Sequence, residues 1–186
     1  NAKGFRNFEE MENSEWVKNI KGTMSEDKWP DECTRCEQSE RVKGESIRTN
    51  SIDRHKMLYP IRKDYLIVGG VLDNVCNSAC QSCTAGLSTK IGSLTSKNYP
   101  RVDNYDLFQT LPLDRVIELD VNGGEPTASK NYKKVLGELP ANTKIVRMNT
   151  NGSRMIKEIE HVLKRNIMVI VTMSLDGIGS VHDYTR

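Results

Sequence analysis

Apolar residues gather in the second half of the chain, in short continuous runs separated by polar and glycine-bearing stretches. Runs at 65–72, 116–121, 144–148 and 167–173 have the length and β-branched content of strands. Between them the spacing turns helical. Tyr105 and Phe108 share one face of 103–111, and Tyr132, Val135 and Leu139 one face of 128–139. Met155, Ile156, Ile159, Val162 and Leu163 recur at helical intervals in 153–165. Strands that are nearly all apolar and alternate with helices predict an α/β fold with a parallel sheet covered on both faces. In such a sheet, sites form beyond the C-terminal ends of the strands.

The first part of the chain reads differently. Phe8, Met11, Trp16, Val17, Ile20 and Met24 predict one amphipathic helix, with acids early, lysines late and a stop at Trp29-Pro30. Residues 37–64 are polar and charge-rich, which predicts a solvated helix followed by a linker, with a partner-facing segment as the alternative. The shift in composition near Tyr59-Pro60 divides the chain into an α-rich, cysteine-containing segment, 1–60, and an α/β portion, 61–186.

Composition adds mainly exclusions. With 27 basic and 25 acidic residues interspersed, nothing resembles a nucleic-acid footprint. No apolar run reaches the roughly 20 residues of a membrane span. The chain starts at Asn1 and stops at Arg186 without a closing element, as expected of a fragment. Five cysteines, clustered as two and three, suit ligands in a reducing compartment such as the cytoplasm better than paired disulfides.

Each predicted strand is followed by a stretch with chemical content. After the first come Cys76, Cys80 and Cys83 at C-x3-C-x2-C spacing. Three thiolates so close in sequence can converge on an iron–sulfur cluster and leave one iron of a 4Fe–4S cube open. Zinc, a disulfide framework and simple packing remain alternatives on spacing alone. After the second strand, Gly123-Gly124-Glu125-Pro126 offers close backbone approach and a carboxylate for a cationic amino group, or a tight turn. Asn149-Thr150-Asn151-Gly152 and Ser174-Leu175-Asp176-Gly177 follow the third and fourth strands. They hold groups for a ribose or an amino-acid ligand, or for local turns and caps. Upstream, Cys33 and Cys36 form a C-x2-C half-site for zinc or iron–sulfur. His161, His182 and Asp183 read as surface residues, and no residue stands out as an acid or base.

Taken in order, the cysteine triplet, Gly-Gly-Glu-Pro, Thr150-Asn151-Gly152 and Ser174-Leu175-Asp176-Gly177 resemble the radical S-adenosylmethionine (radical SAM) superfamily over about 65–186. The resemblance implies a partial (β/α)6 barrel of which the first four strands are present. It implies that Cys76, Cys80 and Cys83 hold a 4Fe–4S cluster whose open iron is chelated by S-adenosylmethionine. Gly123, Gly124 and Glu125 would hold the amino end, and Asn149, Asn151, Ser174 and Asp176 would face the ribose and carboxylate. Residues 7–36, ending in Trp29-Pro30-x2-Cys33-x2-Cys36, are similar to the SPASM/twitch segment of some members, which implies Cys33 and Cys36 as ligands of an auxiliary iron–sulfur cluster. One departure is Ser82, where the superfamily often places an aromatic. The implied activity is reductive cleavage of S-adenosylmethionine to a radical that abstracts hydrogen from a substrate. The implied partners are a peptide or protein substrate and an electron donor such as flavodoxin or ferredoxin. A carbohydrate or nucleotide substrate, or a non-catalytic iron–sulfur or zinc protein, are the alternatives.

Overall fold

The structure is a computed structural model and describes residues 4–58, 65–95, 98–155 and 157–185, with the backbone alone at 55, 57, 58 and 121. It divides into two compact units, Asn1–Asp64 and Tyr65–Arg186. The Tyr59-Pro60 boundary and Ile156 lie outside the described residues.

The first unit is helical. The single helix expected over residues 1–30 is two: α1, Phe8–Glu12, and α2, Glu15–Ser25. The break lies at Asn13-Ser14, because Ser14 takes extended backbone and its Oγ accepts the Val17 N–H. That N-cap restarts the chain more strongly than the apolar spacing continues it. A short 3-10 turn, Asp31–Cys33, leads into α3, Thr34–Lys43, which ends at Gly44 in the left-handed region. The solvated stretch that follows is not a linker throughout. It contains α4, Ile47–Leu58, started by Ser46, whose Oγ accepts the N–H groups of Arg48 and Thr49. Arg48 bonds Glu40 of α3 and lies over the Trp29 ring.

The second unit is a four-stranded, all-parallel sheet in the order β1-β2-β3-β4. The strands are β1, Leu66–Val71; β2, Val116–Asn122; β3, Ile145–Thr150; and β4, Met168–Met173. The helices are α5, Thr89–Thr95; α6, Tyr105–Gln109; α7, Lys130–Gly137; α8, Glu158–Lys164; and α9, Ser180–Thr185. Alternation puts Leu119, Val146 and Met148 on one face. There they pack with Phe108, Tyr132, Val135, Leu136 and Val162 from α6, α7 and α8. The opposite face carries Glu118 and Asp120. Glu118 is fully buried and accepts a 2.7 Å bond from Arg147 Nε of β3.

Two expectations need correction. The expected cover on both faces is incomplete, since Asn149 of β3 is exposed. On β4, Met168, Val171 and Met173 are 54%, 46% and 54% exposed, because β1 and β4 are the edges of the described sheet. Met155, expected on the buried face of the third helix, lies in the preceding loop, since α8 starts only at Glu158, and it is exposed. Among the described residues no helix is long and apolar enough to cross a membrane.

Candidate functional site

The backbone between β1 and the cysteines is fixed by buried polar residues. Asp73 accepts the Val75 N–H at 3.0 Å and the Ser129 hydroxyl, and Ser129 caps α7. Burial pushes the Asp73 carboxyl above its ordinary range, against the pull of these hydrogen bonds. Asn74 donates to the carbonyls of Gly86 and Pro100 and accepts from Val102 N–H, which closes the long loop that carries α5. Thr89 Oγ1, at the start of α5, accepts the Cys76 N–H at 3.1 Å.

The loop after β2 is seated on this segment. Gly123 and Gly124 have φ of 92° and 47°, in the left-handed region that glycine favours. A Cβ on Gly123 would meet the Val71 side chain, and one on Gly124 would stand 2.4 Å from the Val75 carbonyl oxygen. Both glycines therefore let this loop lie against the chain leaving β1. The Glu125 N–H then donates to the same Val75 carbonyl at 2.6 Å.

Glu125 is 1% exposed, and its carboxylate is held by three donors. Oε1 accepts from Thr127 N–H at 3.0 Å and Thr150 Oγ1 at 2.7 Å, and Oε2 from Asn151 N–H at 2.6 Å. A buried carboxylate needs this kind of enclosure. Ionised, it offers about four acceptor positions, so one remains for a further donor. In sequence Thr150 reads as part of a turn and Asn151 as a turn or ligand residue. Neither signals in sequence that it binds a carboxylate 25 residues earlier.

The strand ends meet as the parallel topology predicts. One cavity of about 370 Å³ is lined by Cys76, Cys80 and Cys83, by Gly123, Gly124 and Glu125, and by Asn149, Asn151, Ser174 and Asp176. Asn122 and Thr150 join them. Asn149 bonds the Asn122 side chain, which in turn bonds Asp120 at 3.1 Å. None of the five cysteines is in a disulfide. Cys33 and Cys36 belong to the first unit, in the 3-10 turn and the first turn of α3. His161 and Asp183 are exposed, while His182 on α9 is half-buried.

The sulfur donors on this cavity are the thiols of Cys76, Cys80 and Cys83. Among the described residues, no three His, Cys, Asp or Glu side chains are placed to hold a single metal ion. A 4Fe–4S cube takes its thiolates on separate irons, so they stand farther apart. The Cys76 thiol is pushed up by burial, eased by the Ser78 N–H at 3.4 Å, and raised further by Glu125 and Cys80 nearby. A donor of that kind on a ligating sulfur is one of the levers on cluster potential. Three thiols bordering one cavity are the kind of donor set that such a cluster would need.

Comparison with known proteins finds similarity over part of the chain. Over 116 residues the chain is 29% identical to the mycofactocin maturase MftC of Mycolicibacterium smegmatis. The chain is thus similar to mycofactocin maturases over part of its length. Those of Mycobacterium ulcerans and Mycobacterium tuberculosis are 28% identical to it over 117 residues. Each match covers 62% of this chain and spans only 29–30% of the maturase's length. No family model and no solved structure matches the chain.

Proposed function

We propose that the second unit is the first four strands of a radical SAM (β/α)6 barrel, belonging to an enzyme that modifies a peptide or protein. The observation that carries this is the meeting of the C-x3-C-x2-C loop with the Gly-Gly-Glu-Pro loop around one cavity. When bound, a reduced 4Fe–4S cluster and S-adenosylmethionine supply a 5′-deoxyadenosyl radical that takes a hydrogen atom from substrate. Cys76, Cys80 and Cys83 hold the cluster. Gly123, Gly124 and the remaining acceptor position of Glu125 receive the amino group, and Asn149, Ser174 and Asp176 border the ribose and carboxylate.

The relatives' name, maturase, supports a substrate that is itself matured, and a peptide or protein is the class that suits it. Residues 1–60 would be the SPASM/twitch-type segment. Cys33 and Cys36 would then be two of the four thiolates of an auxiliary cluster. A flavodoxin or ferredoxin would supply electrons, in a reducing cytoplasm.

Metal analysis after anaerobic reconstitution tests the cluster. We expect about four irons and four sulfides per chain at the triplet, lost in Cys76→Ala/Cys80→Ala/Cys83→Ala and retained in Cys33→Ala/Cys36→Ala. Zinc without iron would overturn the assignment.

A further inference from the structure

The cysteine loop has a second anchor besides α5. The Asn151 side chain donates both of its N–H groups into that loop, to Asn77 Oδ1 at 3.0 Å and to Ser78 Oγ at 2.9 Å. Its own carbonyl oxygen accepts the Ser153 N–H at 2.9 Å, which sets the amide's orientation. Asn77 answers by donating to Ser153 Oγ at 2.8 Å. The partners lie 73 to 76 residues apart in sequence, so this clasp closes only when β1, β2 and β3 are side by side.

We propose that Asn151 is a positioning residue: it latches the cysteine loop to the loop after β3, and its side chain is spent on Asn77 and Ser78 rather than on a bound cofactor. An asparagine amide has two N–H donors, and both are in use here. A ligand carboxylate, which only accepts, would have to displace one of them. The position of the latch gives it a purpose. Asn77 and Ser78 lie between Cys76 and Cys80, so pinning them fixes the separation of the first two thiols. Ser78 passes the restraint on, because its N–H donates to Cys76 Sγ and its carbonyl accepts from Ser88 Oγ at 2.8 Å. The Asn151 N–H in turn rests on Glu125 Oε2. Glu125, Asn151, Asn77 and Ser78 thus form one hydrogen-bonded line from the loop after β2 to the first thiol.

The latch rests on the cluster assignment for its purpose but not for its detection, and two measurements keep them apart. The first uses the apo chain. Hydrogen exchange of a peptide covering 76–83 is followed in the wild type, Asn151→Ala, Asn77→Ala and the double variant. Loss of two or three hydrogen bonds should speed exchange there about tenfold in either single variant. The two single variants share the Asn151–Asn77 bond, so the double variant should be faster than either but by less than the product of the two effects. Exchange over 130–146 reports the fold and should stay within about twofold. If Asn151→Ala fails to fold, Asn77→Ala with Ser153→Ala carries the comparison.

The second measurement uses the reconstituted chain. Cluster loss to an iron chelator should speed up in both single variants, and in the double by less than the product of the two effects. Affinity for S-adenosylmethionine should change alike in both. The latch is wrong if Asn151→Ala leaves loop exchange and chelation at wild-type rates. It is also wrong if Asn151→Ala weakens S-adenosylmethionine binding while Asn77→Ala does not, which is the signature of a direct ligand. A wild type that takes up no iron sinks the cluster assignment, while the exchange comparison still decides whether the latch exists.

Discussion

Two glycines show how differently the same residue type is used. Gly124 sits at φ 47° with the Val75 carbonyl where its Cβ would be. Gly124→Ala combines backbone strain with a clash that no side chain can relieve, and we expect a loss of about 2 kcal/mol or more. Gly69 of β1 has ordinary backbone, and a Cβ there would meet Asp120 Cβ at 3.5 Å, a normal contact. Gly69→Ala should be neutral or stabilising by about 0.5–1 kcal/mol. Chemical denaturation of the two variants checks both. Asp73 makes a pH prediction. Its folded pKa is raised by burial, so above the ordinary carboxylate value, near pH 4, the folded state holds more protons than the unfolded. Stability therefore falls as pH rises through that window and is level above the folded pKa. Asp73→Asn should flatten the curve of stability against pH there. A curve unchanged in slope would show that Asp73 does not titrate in this way.

At the scale of elements, Tyr132 explains how β1 and β2 end. Its hydroxyl accepts the Leu72 N–H at 3.1 Å and donates to the Asn122 carbonyl, just where the β1–β2 ladder stops at Val71 and Asn122. The strands can part there to make room for the cysteine loop because one side chain of α7 satisfies both backbone groups. Tyr132→Phe takes the acceptor from the buried Leu72 N–H and a donor from the part-buried Asn122 carbonyl, and should cost about 1–3 kcal/mol in thermal or chemical unfolding. In sequence Tyr132 reads only as an apolar helix position, since its partners lie 60 and 10 residues earlier. The strands were legible because continuous β-branched runs have few other uses. Observed Leu66–Val71 and Met168–Met173 fall within the ranges that the pattern predicts. The short α5 and α9 carry no periodicity long enough to register. Ser14 split the first helix because a cap is a single residue set against a face of six. The gathering of strand ends at the cavity followed from parallel topology. The enclosure of Glu125 did not, since it depends on side chains from a different loop.

For the whole molecule, the parts known from chain pattern and from the folded unit agree on one rim. Four loops that are far apart in sequence line one cavity, and three of them are tied together by the Glu125 and Asn151 hydrogen bonds. The chain matches the mycofactocin maturases over only 29–30% of their length, so the test belongs to the chemistry of the rim. The most direct measurement is 5′-deoxyadenosine, quantified by mass spectrometry, after the anaerobically reconstituted protein is given dithionite and S-adenosylmethionine. We expect its formation by the wild type and its loss, to the level of a protein-free control, in Cys76→Ala/Cys80→Ala/Cys83→Ala. A wild type that holds its cluster and binds S-adenosylmethionine yet forms no 5′-deoxyadenosine would contradict the proposed radical chemistry.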